Sequence, residues 1–351
     1  MINVAVIGCG RIAGRFEDIL DTKKPCTHAG AYIENTHTQL VAACDFQEDS
    51  LSTFCERWNI TSPYTDPVEM LTNEKIEVLS ICTPVDSHYE LVMLALKHCP
   101  TLKAIWCEKP ISNSIKDAHE MIDECRKRSV LLAVNYWRRW DPFHIGIVDE
   151  IKSGVVGLPY VLDCQSHVGL MNCGTHLIDL AMMYLDDEPA SVIGKILSDG
   201  SNDPGACGII SFKNGKQAFI DCGWKENPRL GINVRGERGT LSALTNQVLL
   251  DDYDVQCATY SRSISRDDTL KAPMSYALEN ILACLDGDAE LLSTGTMAAK
   301  SLEVAVALYA SHETGKSVVV PIKNEIYKNR NFECRITSMT KNGKIPEGWK
   351  E

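Results

Sequence analysis

One glycine-rich turn constrains this chain more than any other feature. Gly8-Cys9-Gly10-Arg11-Ile12-Ala13-Gly14 follows directly on the apolar run 2–7. A run that is apolar at consecutive positions suits a strand buried on both faces of a parallel sheet. A strand-to-helix turn can need glycine for packing alone, but this one stands at the first such turn of the chain, where a dinucleotide-binding domain carries its phosphate loop. There the first glycine makes the tight turn and the second lets the backbone approach a pyrophosphate. The small third position, here Ala13, allows close helix–strand packing, and the helix that follows points its N-terminus at the phosphates. Gly8, Gly10, Arg11 and Ile12 are the expected cofactor contacts in this turn.

The rest of the first third repeats the pattern. Apolar strand-like runs at 40–44, 78–82, 104–107 and 130–134 are separated by amphipathic stretches such as 88–98 and 115–128. That alternation predicts βαβ units and a doubly wound parallel sheet, a Rossmann domain over residues 1–135. Beyond about residue 140 the pattern changes. Helices are expected at 142–152 and 176–185, and strands at 209–212 and 217–224. Between these strands, Lys213-Asn214-Gly215-Lys216 reads as a hairpin with a type I′ turn. Further helices are expected at 274–285 and 296–313, with Gly315 as a C-cap before a short strand at 318–320. The second domain, 136–322, is therefore expected to be α+β with a large, mainly antiparallel sheet, and 323–351 reads as a polar tail or arm.

An acid at the end of the second strand should read the ribose. Asp45 closes Val41-Ala42-Ala43-Cys44-Asp45, further along than usual, and the segment 21–28 reads as an inserted loop that absorbs the difference. A carboxylate there accepts from the ribose hydroxyls and repels a 2′-phosphate. No cation follows in Phe46-Gln47-Glu48-Asp49, so NAD is favoured over NADP.

Composition narrows the partners. The chain has 351 residues, with 35 Lys and Arg against 47 Asp and Glu, a net charge of −12. A surface that acidic argues against nucleic acid and against anionic membranes. No apolar stretch approaches the ~20 residues that span a bilayer, and the first residues lack the features of a signal peptide. A cytoplasmic location is the expectation. The 15 cysteines are odd in number, sit partly inside apolar runs (Cys44, Cys82, Cys107) and form no Cys-x-x-Cys pair. They read as reduced buried thiols, and no metal is expected.

Three further segments carry the chemistry. Thr83-Pro84 ends one expected strand, with His88 shortly after. Glu108-Lys109-Pro110 ends the next, and Gly174-Thr175-His176-Leu177-Ile178-Asp179 opens a helix in the second domain. Together with the glycine turn, these resemble the Gfo/Idh/MocA family of sugar and polyol dehydrogenases over roughly residues 1–322. The resemblance implies that Thr83, Pro84, His88, Glu108 and Lys109 flank the cofactor. It also implies that Lys109 holds substrate beside the nicotinamide, that His176 is the acid/base, and that Arg138, in Tyr136-Trp137-Arg138-Arg139-Trp140, lines the substrate cleft. It implies a homodimer or homotetramer built through the open face of the large sheet.

The residues themselves make the same chemical sense. Oxidising an alcohol needs a proton acceptor at the hydroxyl and a donor for the charge that develops on its oxygen. Thr175 is the expected N-cap of the helix carrying His176, whose dipole would keep that imidazole neutral. Asp179 lies on the same helix face and either orients the imidazole or satisfies a nearby backbone group. Asn172 stands where inositol-dehydrogenase-like members carry an aspartate. It can bind a sugar hydroxyl but cannot take its proton, and residues 169–176 look more like members found in nucleotide-sugar pathways. The expected activity is NAD-dependent dehydrogenation at a secondary hydroxyl of a sugar, polyol or nucleotide-sugar. A glycosidase that uses NAD transiently and a non-catalytic NAD-binding regulator are the alternatives.

Overall fold

In a computed structural model the described residues are 1–166, 169–197, 202–223, 230–245, 252–257, 261–265 and 269–332. They divide into two compact units. One is Met1–Trp140 with Lys271–Ala298; the other is Asp141–Leu270 with the described residues from Ala299 onward.

The first unit holds a six-stranded sheet. Its strands are β1 (Ile2–Ile7), β2 (Thr38–Cys44), β3 (Pro63–Tyr64), β4 (Val78–Ile81), β5 (Ala104–Cys107) and β6 (Leu131–Val134). They lie in the order β3-β2-β1-β4-β5-β6 and every pairing is parallel. The two halves of the sheet run outward from β1 and β4, so the C-terminal ends of those strands flank the switch point where such sheets bind ligands. The central strands are apolar and buried on both faces, from Val4–Ile7 through Val78–Ile81 to Ala104–Cys107. Helices cover them, including Glu48–Trp58, Pro67–Asn73, His88–His98 and Ile115–Lys127. Pro67 begins its helix behind an Asp66 cap that accepts from Val68 N at 2.7 Å, and Ser114 caps Ile115–Lys127.

The helix Pro273–Asp286 follows the second unit in sequence but packs on the first. Its apolar face, Met274, Ala277, Leu278, Ile281 and Leu282, joins one buried cluster with Ala133 and Trp140. Asn280 Oδ1 accepts from Trp140 Nε1 at 2.8 Å and from Leu292 N at 3.0 Å. The chain therefore changes unit after Trp140 and returns at Lys271.

The second unit holds a nine-stranded sheet. Its strands are β7 (Pro159–Ser166), β8 (Pro189–Ile196), β9 (Ala206–Phe212), β10 (Gln217–Cys222), β11 (Leu230–Gly236), β12 (Gly239–Thr245), β13 (Asp252–Cys257), β14 (Ser261–Ser265) and β15 (Val318–Val319). The order is β14-β13-β12-β11-β7-β10-β9-β8-β15, antiparallel except where β10 runs beside β7. Strand residues alternate: Ala218, Ile220 and Cys222 are buried, as are Leu162 and Cys164 opposite them, while Phe219 and Asp221 face the other way. Helices Pro142–Lys152, Thr175–Leu185 and, from Ala299 onward, Gly295–Thr314 belong to the same unit as this sheet.

Two local expectations change. In the β9–β10 hairpin only Gly215 takes a positive φ (+84°); Asn214 does not, and Phe212 N donates to Lys216 O at 2.9 Å. A type I′ turn needs positive φ at both central residues, so this is a three-residue connection with a left-handed glycine. The strand expected over 217–224 ends at Cys222, and Trp224 lies outside the described residues. The polar segment after Lys323 begins with a short helix, Glu325–Lys328, capped by Asn324; residues from 333 onward, like His167, lie outside the described set.

Candidate active site

The glycine turn is held by the strand ends around it. Gly8 has φ +91°, and a Cβ on it would fall 2.8 Å from the Cys82 carbonyl carbon and 2.8 Å from Thr83 Cγ2. Only glycine meets both demands. Gly8 N donates to Cys44 O at 2.8 Å, which ties the turn to the end of β2. Gly10 differs in that a Cβ there would meet nothing within 4 Å. That open space beside the backbone is what a pyrophosphate needs. Asp45 lies against the same turn: its Oδ2 accepts from Cys9 N at 2.8 Å and its Oδ1 from Gln47 N at 2.9 Å. Burial pushes the Asp45 carboxyl above its ordinary value, against the pull of those two backbone donors. Glycine turn and acid thus form one cradle suited to a dinucleotide. Among the described residues no group of three or more His, Cys, Asp or Glu side chains is gathered to hold a metal ion.

The helix after the turn departs from expectation. Arg11–Arg15 is a single turn of π-helix, followed by only Phe16–Ile19, and helix resumes at His28–Glu34. The inserted segment breaks it, so little helix dipole stands behind the turn. Phosphate binding there falls to the backbone N–H groups of the loop. The close-packing position also extends to Gly14, where a Cβ would lie 2.5 Å from Trp58 Nε1 and 2.8 Å from Phe54 Cε2.

Next to the cradle, Ser87 Oγ lies 2.6 Å from Thr83 Oγ1 and 2.8 Å from Pro84 O, so its one proton can go to the carbonyl while Thr83 donates to it. His88 is fully buried, with Nδ1 2.9 Å from Pro110 O and Nε2 3.0 Å from Thr83 O. Burial lowers its pKa, and a neutral ring carries one N–H for two carbonyls. Both ring nitrogens face the backbone, so His88 braces the β4 and β5 ends rather than reaching outward. Glu108 is also buried and receives His28 Nε2 at 3.1 Å and Asn135 Nδ2 at 2.6 Å. Burial alone would raise its carboxyl, but the hydrogen bond from His28, with the charge of Lys109 and the hydrogen bond from Asn135, outweighs that and leaves it below its ordinary value. Lys109 is half-buried, and its backbone N lies 3.3 Å from Glu108 Oε2. Arg138 is buried, with its guanidinium 4.3 Å from the centre of the Trp137 ring.

The second unit carries Asn172, His176 and Asp179. Leu170–Gly174 is one turn of π-helix that runs straight into the helix Thr175–Leu185. Thr175 is therefore not an N-cap: it already has helical geometry, and its Oγ1 donates back to Met171 O at 2.9 Å. With that turn in front of it, His176 sits one turn inside a continuous helical segment, where the dipole acts less strongly than expected. The turn is pinned by Asp203, whose Oδ1 accepts from Met171 N at 2.8 Å and whose Oδ2 accepts from Asn172 N at 2.9 Å. Gly169 is required beneath it, because a Cβ there would lie 2.0 Å from Asp203 O. His176 is 6% exposed. Asp179 is buried and accepts from Ser301 Oγ at 3.4 Å.

Sequence reasoning missed His28, Ser80, Tyr32 and Asn135 behind Glu108, and Asp203 behind Asn172. Nothing local marks them, since each acts on a residue far away in the chain.

A parallel sheet in the order 3-2-1-4-5-6, a glycine turn at its first strand end and an acid at its second define a dinucleotide-binding domain of the Rossmann type. Residues 2–136 match the family model described as "Oxidoreductase family, NAD-binding Rossmann fold", and residues 161–242 match the "GFO/IDH/MocA C-terminal domain". The chain belongs to the Gfo/Idh/MocA family of oxidoreductases. It is 24% identical over 360 residues to D-glucoside 3-dehydrogenase of Escherichia coli, covering 90% of this chain and 97% of that one. Among solved structures it is similar to the aldose-aldose oxidoreductase of Caulobacter crescentus (TM-score 0.79, 19% identity, 91% of this chain and 99% of that one). It is also similar to the WlbA dehydrogenase of Bordetella pertussis in complex with NADH and UDP-GlcNAcA (TM-score 0.76, 19% identity, 92% and 98%).

Proposed function

We propose that this oxidoreductase is an NAD-dependent dehydrogenase acting at a secondary hydroxyl of a sugar, polyol or nucleotide-sugar, in either direction. One observation carries the reading: Lys109 follows a buried, multiply bonded Glu108 at the end of β5, in the unit that also bears the Gly8–Gly10–Asp45 cradle. Bound NAD supplies the hydride acceptor. Gly8, Gly10, Arg11 and Ile12 hold its phosphates, Asp45 its ribose, and Thr83, Pro84 and Lys109 its nicotinamide side, with Glu108 and His88 bracing that wall. The Lys109 ammonium donates to the reacting oxygen as negative charge develops there. His176 accepts the hydroxyl proton in oxidation and returns it in reduction. Asn172 and Arg138 bind neighbouring hydroxyls, and Asp179 steadies the helix that carries His176. D-glucoside 3-dehydrogenase is named for oxidation at a sugar carbon, which supports the substrate class. The UDP-GlcNAcA in the Bordetella complex extends it to nucleotide-sugars.

We further infer a homo-oligomer built on the open face of the nine-stranded sheet. That face carries Ile193, 47% exposed, beside Ile209 and Phe219 in register.

The test mixes purified protein with NAD and a panel of polyols, aldoses and UDP-sugars and follows NADH absorbance, with Lys109→Ala and His176→Asn in parallel. One substrate class should yield NADH, and each variant should lose about 10²–10⁴-fold in kcat while still binding NAD. Variants that turn over like the parent would remove these roles. Free sugar released from glycosides without net NADH would mark the glycosidase, and NAD binding with no turnover of any kind would mark the regulator.

A further inference from the structure

A second set of side chains lies behind Lys109, and the proposed reaction does not use it. The inserted segment after Ile19 is tied down by Glu17, whose Oε1 accepts from Cys26 N at 2.7 Å, Thr27 N at 3.0 Å and Thr27 Oγ1 at 2.9 Å. Thr27 then caps the next helix by accepting from Gly30 N at 3.1 Å. This places His28, the first residue of that helix, at 0% exposure inside the first unit. Its ring packs on Trp106 with centroids 4.0 Å apart.

The hydrogen bonds around it form one line. Tyr32 OH lies 2.6 Å from Ser80 Oγ, Ser80 Oγ lies 2.8 Å from His28 Nδ1, and His28 Nε2 lies 3.1 Å from Glu108 Oε1. With Glu108 ionised, Nε2 must be the donor. A neutral ring then leaves Nδ1 to accept the Ser80 hydroxyl, and Ser80 Oγ to accept from Tyr32, so each proton in the line has one acceptor. Asn135 Nδ2 donates to the same Glu108 oxygen at 2.6 Å, although Asn135 Oδ1 is left buried with no hydrogen-bond partner. Such an orphan costs about 1–3 kcal/mol. The fold tolerates it while fixing one carboxylate oxygen from two sides, and the other, Oε2, lies 3.3 Å from the backbone N of Lys109.

We propose that His28 is a positioning residue for Lys109, acting through Glu108: the Tyr32–Ser80–His28 line and Asn135 lock the Glu108 carboxylate, which sets where Lys109 leaves the strand. This rests on the catalytic role proposed for Lys109. A 1 Å displacement of a catalytic group costs up to ~10²-fold in rate, so the device has leverage over turnover with little over binding.

Two variants at one position separate positioning from packing. In His28→Gln the amide nitrogen lies near the place of Nε2 and still donates to Glu108, whereas the shorter His28→Asn reaches only Ser80. Both lose the ring packed on Trp106, so a packing role predicts equal falls in Tm and equal kcat. Positioning predicts that His28→Asn loses about tenfold or more in kcat, with substrate KM and NAD affinity changed far less, and that His28→Gln stays within about threefold of the parent. A readout independent of turnover accompanies these: in protein with 15N-labelled histidine rings, the His28 Nε2–H should exchange slowly, and Glu108→Gln should move its resonance. Equal kcat for the two variants, or a His28 ring proton indifferent to Glu108→Gln, overturns the proposal. If Lys109→Ala turns over like the parent while the ring proton behaves as expected, the role of Lys109 fails, and the positioning role falls with it although the hydrogen-bonded line stands.

Discussion

The two units present their candidate residues in opposite ways. In the first, the ends of β1, β2, β4 and β5 bring Gly8, Asp45, Thr83 and Lys109 to one end of a sheet; Gly8 and Asp45 are braced by partners remote in sequence, Thr83 by Ser87 four residues on, and Lys109 follows Glu108, which the remote His28 and Asn135 hold. In the second, Asn172, His176 and Asp179 lie on one helical segment, Leu170–Leu185, and its starting turn is held from one remote loop, by Asp203 at Met171 and Asn172 and by the Pro204 carbonyl at Leu170. A site assembled from strand ends is rigid because many chains meet there. A site wound on one segment is only as fixed as the turn that starts it.

Removing each support in turn tests that contrast. The largest effect should come from Gly8→Ala, which places a side chain at φ +91° and a Cβ 2.8 Å from the β4 end. We expect a loss of roughly 3 kcal/mol in a thermal or denaturant melt, together with most NAD affinity; a stable variant that binds NAD normally would deny the turn its role. Asp45→Asn should weaken NAD by about tenfold and narrow the preference over NADP, measured by titration with both cofactors. Asp203→Ala should be milder and of a different kind, raising substrate KM several-fold through the loosened Asn172 turn while NAD affinity stays put. If Asp203→Ala instead weakens NAD, the division of labour between the units is wrong.

The smallest effect is in pH dependence, where two carboxylates of the first unit behave oppositely. Asp45 has a raised pKa, so NAD affinity should fall as pH drops through a value above the ordinary aspartate one, and Asp45→Asn should abolish that limb. Because the folded state holds this proton more tightly than the unfolded chain, ionising Asp45 costs stability as pH rises through the same window. Glu108 has a lowered pKa. Its contribution to stability is present above the ordinary glutamate value and is lost only as pH falls through the depressed one. Melts of Asp45→Asn and Glu108→Gln against pH should therefore diverge from the parent in opposite directions.

The same contrast explains what was readable from sequence. The run 2–7, the glycine turn and the acid at 45 are local signals for a local geometry, and a parallel, doubly wound sheet follows from βαβ alternation, so the main strands of the first sheet were legible, though their order was not. The two-residue strand Pro63–Tyr64 was not, because two residues carry no periodicity. Thr175 looked like a cap because a hydroxyl before a helical stripe usually is one; the π-turn in front of it depends on Asp203, which no spacing rule connects to it. His28 read as part of a loop because its neighbours Lys23, Lys24 and Pro25 are loop-like, and its burial is decided by Ser80, Trp106 and Glu108. Likewise, the return of Pro273–Asp286 to the first unit is a matter of which apolar face fits which core, and that is set in three dimensions.

In the proposed reaction a hydride would pass directly from a substrate carbon to NAD. Once the panel gives a substrate, the decisive measurement is its oxidation with deuterium at the carbinol carbon, followed by mass spectrometry of the reduced cofactor. One deuterium in the reduced nicotinamide, with a primary isotope effect on the rate of its formation, is the predicted result. Reduced cofactor without label, or label lost to water with no net NADH formed, would contradict it.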